Sequence, residues 1–352
     1  MTRAEILREK FSKFADAIII TDELNQYYIG GFRFTDGYVV VTKESAHIVT
    51  DFRYTEAAEA SRGEGFSVCA PKDMCEAIAD IFKKEGVKTV AFEESRVTYA
   101  MLERLKERIP AEFVPSKGII EEMRRFKDLG EVEKIKKAQK ITDDAFEHIL
   151  KVMTPDMTEI DVAVELEFFM RKMGAEEKSF DTIAVSGSAS SLPHGVPRNV
   201  KLEKGFFTMD YGCVVDGYHS DMTRTVVIGK ADEEMKRLYN TVLRAQTDAI
   251  NAAKVGMKCN AIDKIARDVI DDAGYHGCFG HGLGHGVGLE IHEEPRFSPK
   301  CADFFAAGHV ITVEPGIYIA GKYGCRIEDM IYADGENVVN LTGADKSLIE
   351  LF

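Results

Sequence analysis

The sequence predicts an α/β protein built as two domains, and three observations carry that reading. The chain has 352 residues, more than a single domain of about 150 residues needs. Its first 120 residues alternate short β-rich runs with charged helical stretches. Its remainder holds two strand-rich stretches with a shared pattern, an acid two residues before a glycine and a second acid on the return strand.

Taken in order, the β-rich runs of the first part are Ala17–Ile20, Gly37–Thr42, His47–Thr50 and Thr89–Phe92, dominated by the Val, Ile and Thr that suit a pleated surface. Charge then concentrates from Glu121 to Lys137. Within and beyond that run, Val132, Ile135, Ala138, Ile141 and Ala145 recur at spacings of three and four, so a domain junction leads into an amphipathic helix. The predicted domains are therefore 1–122 and 123–352. Thr158 with Asp161 three residues on predicts a capping box, and Gly174 stops the helix that follows. Asn260 with Asp263, closed by Gly274, predicts the same device again, and another helix covers roughly Asp232 to Ala253. The strand-rich stretches Phe206–Ile228 and His309–Ala333 are each interrupted by glycine and each predict an antiparallel hairpin. Thr208-Met-Asp-Tyr-Gly in the first answers Thr312-Val-Glu-Pro-Gly in the second, with Asp221 and Glu328 as the later acids.

Composition narrows the function. Lys and Arg total 45 against 59 Asp and Glu, a net charge of -14, so nucleic acid meets repulsion and is not an expected partner. No apolar run reaches the ~18 residues of a membrane span. The opening residues lack a basic start, a long apolar middle and a small-residue cleavage site, so a cytoplasmic protein is expected. The seven cysteines are scattered without a C-x-x-C pair and read as reduced thiols.

The acids carry the chemistry. An unpaired carboxylate loses several kcal/mol of hydration on leaving water, yet Asp210 sits among Phe206, Phe207, Met209 and Val214. Glu314 follows Val310, Ile311 and Val313, Glu328 lies between Ile327 and Met330, and Asp221 lies across the first hairpin. If the hairpins face each other, four carboxylates converge, and like charges so gathered stay ionised only around cations. Any one of these acids could instead be solvated or paired with Arg224 or Arg326; the matched set of four favours metal. The segment Gly280-His-Gly-Leu-Gly-His-Gly-Val-Gly-Leu-Glu-Ile-His-Glu-Glu-Pro adds His281, His285 and His292. Glycine lets backbone approach a metal or substrate closely, and imidazole suits Mn, Fe, Co or Zn. His47, His148 and His309 lack such company and read as ordinary core or surface residues. One histidine with four acids matches a two-metal site whose cations share a hydroxide nucleophile and polarise a scissile carbonyl, the arrangement of a metal-assisted hydrolase.

The run His281-Gly-Leu-Gly-His285-Gly-Val-Gly-Leu-Glu-Ile-His292-Glu closely resembles the signature of prolidases and aminopeptidases P, the proline-specific metallopeptidases of the pita-bread fold (peptidase family M24). Met209-Asp-Tyr-Gly, Gly217-Tyr-His-Ser-Asp-Met-Thr-Arg-Thr, Val313-Glu-Pro-Gly and Arg326-Ile-Glu-Asp follow in that family's order, so the resemblance runs from about Leu129 to the C-terminus. Tyr28-Ile-Gly-Gly-Phe and Thr50-Asp-Phe-Arg-Tyr resemble the creatinase-type domain that precedes the catalytic domain in this branch.

The resemblance implies a creatinase-like α/β domain over 1–122 and a pseudo-symmetric pita-bread catalytic domain over 123–352. It implies Asp210, Asp221, His285, Glu314 and Glu328 as ligands of two divalent ions, Mn or Co with Zn or Fe as alternatives, and Asp221 and Glu328 as bridges. His194, in Ser190-Ser-Leu-Pro-His-Gly, and His292 resemble the family's substrate-side histidines, which stabilise the tetrahedral intermediate. His281 is expected behind them, contacting substrate or orienting His285. Glu314 resembles the proton shuttle, and Arg326 is expected to pair with an acid behind the ligands or to meet substrate. The implied activity is hydrolysis of Xaa-Pro bonds, first as an Xaa-Pro dipeptidase acting as a homodimer, with an aminopeptidase P acting on longer peptides as the alternative. A noncatalytic pita-bread binding protein is the alternative of another class, and the complete ligand set counts against it. Methionine aminopeptidases share the ligands but normally lack the preceding domain.

Overall fold

The computed structural model describes residues 1–352, and the chain divides into two compact units, Met1–Arg124 and Arg125–Phe352. In the first, α1 (Arg3–Phe11), β1 (Ala17–Ile20), α2 (Glu23–Gly30), β2 (Gly37–Thr42), β3 (Ala46–Thr50) and α3 (Thr55–Ser61) lead to β4 (Ser67–Cys69). Then come α4 (Met74–Glu85), β5 (Thr89–Phe92), α5 (Tyr99–Arg108), β6 (Glu112–Pro115) and α6 (Ile119–Arg124). The strands form one mixed sheet in the order β4-β3-β2-β1-β5-β6. Every residue of β1 is buried, as expected of a strand with a neighbour on each side and cover on both faces. The one fully enclosed acid here, Glu93, has donors to match: its carboxylate accepts from the amides of Thr21 (2.6 Å) and Asp22 (3.0 Å), the Thr21 hydroxyl (3.0 Å) and Asn25 Nδ2 (2.8 Å).

The second unit opens with α7 (Leu129–Val152), α8 (Glu159–Lys172), β7 (Glu177–Lys178), β8 (Ile183–Ser186), β9 (Gly205–Tyr211), β10 (Cys213–Val215), β11 (Tyr218–His219) and β12 (Met222–Ile228). It continues with α9 (Glu233–Ala252), α10 (Cys259–Asp272), β13 (Gly284–Gly286), β14 (Glu293–Phe297), β15 (Val310–Val313), β16 (Gly316–Ile319), β17 (Tyr323–Arg326) and β18 (Asp329–Asp334). Two short strands, β19 (Asn337–Asn340) and β20 (Glu350–Leu351), close the chain. The design repeats: two helices precede an outer antiparallel hairpin, β9/β12 or β15/β18, which encloses an inner one, β10/β11 or β16/β17.

The expected periodicity of α7 is largely realised, with Val132, Ile135, Ala138 and Ala145 buried, Ile141 half-buried against the same core, and Asp128 with Glu131 forming a capping box. Thr158 and Asp161 form theirs at α8, and Asp232 caps α9 through the amide of Met235. The expected box at Asn260 and Asp263 is not formed. The last helix begins at Cys259 after Lys258, with no side-chain cap. A tertiary contact replaces it, since the amide of Cys259 donates to the carbonyl of Asp303 at 2.8 Å, satisfying one of the donors that a helix start leaves unpaired. Asp263, freed from capping, is buried and binds Arg267 and the amide of Leu283.

The two outer hairpins meet edge to edge. The amide of Glu328 donates to the carbonyl of Thr223 (3.1 Å), the Thr223 hydroxyl to Glu328 Oε2 (2.8 Å) and the Thr225 hydroxyl to the carbonyl of Arg326 (2.9 Å). Those contacts bring the acids of both halves to one place.

Candidate metal centre

Asp210 stands in β9 opposite Thr223, and Asp221 immediately precedes β12. Glu314 immediately follows β15, and Glu328 immediately precedes β18. His285 lies in β13, between two glycines. A Cβ on Gly284 would fall 1.8 Å from the carbonyl oxygen of Thr312, and one on Gly286 would fall 2.8 Å from that of Glu294. The glycines therefore let β13 press against its neighbours in the sheet; the approach they permit is backbone to backbone, where the sequence suggested backbone to ligand.

Ligand atoms of Asp221, His285 and Glu328 all lie within 4.8 Å of one another. The Nε2 atom of His285 is 3.5 Å from Asp221 Oδ2 and 3.5 Å from Glu314 Oε1. Its Nδ1 stands 3.1 Å from the carbonyl of Gly286; a carbonyl only accepts, so Nδ1 carries the hydrogen and the Nε2 lone pair faces the acids. Asp210 borders the same cavity, yet its Oδ2 accepts from Arg326 Nη2 at 2.6 Å while its Oδ1 is buried without a partner. Arg326, expected to pair with an acid behind the ligands, thus pairs with an expected ligand.

Electrostatics mark the group as short of positive charge. Burial and the charges of Asp210 and Glu314 push Asp221 well above the carboxylate range, and burial with Asp221 as neighbour does the same to Glu328. Burial raises Glu314 to about 8 and holds His285 down at about 3. Two buried acids elsewhere in this unit have cations of their own. Glu159 binds Arg198 (2.6 Å), and Asp329 binds Arg224 (2.8 Å) and Lys346 (2.6 Å); both keep pKa values below the ordinary range despite burial. An orphaned Asp210 oxygen beside three protonation-prone carboxylates and a correctly turned imidazole fits divalent cations, which these oxygen and nitrogen donors would hold.

A cavity of about 690 Å³ opens onto this group, and Asp210, Asp221, His285, Glu314, Glu328, His194, His281, His292 and Arg326 all border it. The rings of His285 and His292 stand edge to face with centroids 4.3 Å apart. His281 does not reach His285 through its ring nitrogens: Nδ1 donates to the carbonyl of Gly282 (2.8 Å), and Nε2 takes the Tyr318 hydroxyl (3.0 Å). Arg326 Nη1 donates to that same hydroxyl at 2.7 Å. Burial lowers His281 to about 4, so it stays neutral and accepts. Tyr318 is among the residues that sequence reasoning missed, with Arg296, because a tyrosine alternating with isoleucines in a strand reads as packing and a lone arginine beside acids reads as a surface charge. Phe180, Ile183, Val196 and Ile291 supply an apolar wall, and Arg296 a cationic one.

A duplicated α/β unit whose hairpins converge buried acids and one histidine in a cavity defines a metal-dependent hydrolase. Residues 133–334 match the metallopeptidase family M24, and residues 3–126 match the creatinase/prolidase N-terminal domain. The chain belongs to metallopeptidase family M24. It is 37% identical to an Xaa-Pro dipeptidase of Pyrococcus horikoshii over 98% of this chain and 100% of that protein. Among solved structures it is similar to an Xaa-Pro dipeptidase from Bacillus anthracis, with a TM-score of 0.96 and 41% identity over 99% of both chains. It is also similar to an X-Pro aminopeptidase from Thermotoga maritima, with a TM-score of 0.93 and 34% identity over 99% of this chain and 100% of that one. No helix is long and apolar enough to cross a membrane.

Proposed function

We propose that the protein is a metal-dependent Xaa-Pro dipeptidase with two divalent ions per chain, held by Asp210, Asp221, His285, Glu314 and Glu328. One observation carries the reading: an acid cluster without enough cations shares its cavity with four histidines and an apolar wall. Divalent cations bound there supply the Lewis acidity that makes water nucleophilic at neutral pH and polarises a carbonyl. The protein's own groups do the rest. Glu314 takes the proton of the attacking water and returns it to the leaving nitrogen. His194 and His292 steady the charge that develops on the carbonyl oxygen.

Proline explains the wall. Its nitrogen has no N–H and its ring fixes φ near -65°, so a pocket of Phe180, Ile183, Val196 and Ile291 can hold the ring without offering an acceptor. A substrate with an amide N–H would bury that donor unpaired at a cost of about 1–3 kcal/mol. Arg296 at the same cavity supports a dipeptidase, since its guanidinium suits the free carboxylate that a dipeptide presents one residue beyond the scissile bond. The oxygen-rich donor set suits Mn or Co, with Zn or Fe also accommodated. The seven free thiols support a reducing compartment such as the cytoplasm, and the homodimer implied by the resemblance belongs to the same proposal. The test is product analysis with Mn or Co on Ala-Pro, Ala-Ala and a longer Xaa-Pro peptide. Ala-Pro should be preferred over Ala-Ala by at least roughly tenfold in kcat/KM. Equal values would remove the proline assignment, and faster cleavage of the longer peptide would make the protein an aminopeptidase.

A further inference from the structure

One buried ion pair of the second unit has no part in the chemistry above. Lys127 Nζ lies 2.8 Å from Glu293 Oε2, with side-chain exposures of 1% and 6%. Removing two charges from water is costly, and replacing such pairs by apolar residues is often neutral or stabilising; its location gives a reason for keeping this one. Glu293 immediately follows His292 and pairs across the sheet with Gly286, next to His285. Between them the chain makes a loop folded around the Glu293 carboxylate. The amide of Glu290 donates to Oε1 at 3.2 Å, and a Cβ on Gly288 would meet Oε2 at 2.6 Å. The cation that balances this carboxylate comes from a rigid base: the amide of Lys127 donates to the carbonyl of Gly308 (2.8 Å), and the amide of Gly308 to that of Ala333 in β18 (2.9 Å).

We infer that Lys127, acting through Glu293, is a positioning residue that fixes the loop between Gly286 and Glu293 and thereby sets His292 against His285 at the cavity. Neither side chain of the pair borders the cavity, so both act through His292. The catalytic readout rests on the function proposed above; the structural readout does not. The test uses Glu293→Gln, which keeps the shape and the acceptor for Glu290, with Lys127→Met, Lys127→Arg and each change combined with His292→Ala. Glu293→Gln and Lys127→Met should lower kcat on Ala-Pro by about 10–100-fold, the scale of a side chain displaced by an ångström. KM should stay within about threefold and bound metal at the wild-type level, with Lys127→Arg recovering most of the loss. In the His292→Ala background neither change should cost more than about a further twofold, because the pair works through that ring. A crystal structure of Glu293→Gln should show the His285–His292 ring spacing altered from 4.3 Å. An unchanged kcat with a lowered Tm overturns the inference, as does a full loss persisting without His292 or an unaltered ring spacing. Should Lys127→Met fail to fold, Glu293→Gln decides alone. Should the wild type leave Ala-Pro intact, the proposed function fails and the ring spacing still decides the inference.

Discussion

The two halves of the catalytic unit have the same plan and unequal duties. In each, an outer hairpin sets one acid at the end of its first strand and another just before its second: Asp210 and Asp221 in the first half, Glu314 and Glu328 in the second. Two residues before the later acid stands His219 in the first half and Arg326 in the second. His219 reaches into the other half, where its amide (2.9 Å) and Nδ1 (3.2 Å) both donate to the carbonyl of Gly288 in the glycine-rich loop. Arg326 also reaches across, binding Asp210 and the carbonyl of Pro193 (3.2 Å). Each inner hairpin therefore braces the other half's contribution to the site, but only the second half adds a histidine to the acid cluster and an arginine that pairs with one of its acids.

That asymmetry shows how a repeat becomes a centre. A symmetric pair of hairpins gathers four acids, which repel one another in a buried setting and cannot all ionise unaided. Glu159 and Asp329 show the other outcome for a buried acid, each supplied with cations by its own surroundings. Asp221, Glu314 and Glu328 lack such supply, and Arg326 pairs with Asp210 alone among the acids of the cluster.

The largest test of this comparison is to remove one acid from each half. Asp221→Asn and Glu328→Gln should each lose bound metal and several kcal/mol of transition-state stabilisation, a fall in kcat/KM on the order of 10³-fold. Metal analysis beside kinetics checks it, and loss confined to one half would break the idea of a shared centre. His194→Ala should keep the metal and lose turnover, because His194 borders the cavity outside the acid cluster. Next in size is the contrast between two arginines. Arg326→Met strands Asp210 and should lower kcat/KM by about 10²-fold, a little under the ~3–5 kcal/mol cost of breaking a buried pair. Arg224→Met leaves Asp329 its contact with Lys346, so Tm should fall while kcat stays within about threefold. Reversed effects would assign the catalytic brace to the wrong arginine.

Much of this was legible in the residues themselves. Acids in apolar strands are costly enough that their repetition before glycine identifies the hairpins that bring the acids together, and the cap at Thr158 follows from local chemistry. What the residues could not show is the choice of tertiary partner. Arg224 and Arg326 are equivalent as sequence, yet the meeting of the hairpins gives one to Asp329 and the other to Asp210. The start of α10 was misread for the same reason, since the carbonyl of Asp303, distant in sequence, takes the amide that a local cap would have taken. The buried pair of Lys127 and Glu293 joins residues 166 positions apart, beyond the reach of any periodicity.

The smallest effects compare the two braces directly. The Tyr318 hydroxyl accepts from Arg326 and donates to His281. Burial pushes it up to about 12, so it keeps its proton at any working pH. In Tyr318→Phe both partners lose that contact, and an unpaired buried polar group costs about 1–3 kcal/mol. Because Tyr318 lies outside the proposed ligand set, bound metal should be unchanged while kcat falls by roughly tenfold, near the low end of that range. His219→Ala is the matching change in the first half. It removes the ring donor to Gly288 but leaves the backbone amide on the same carbonyl, so one partner is retained and the cost should stay below about 1 kcal/mol, a factor of about five. Measured side by side on Ala-Pro, Tyr318→Phe should be the more damaging. If His219→Ala lowers kcat more, the first half does more than hold the loop, and the division of labour between the halves is wrong.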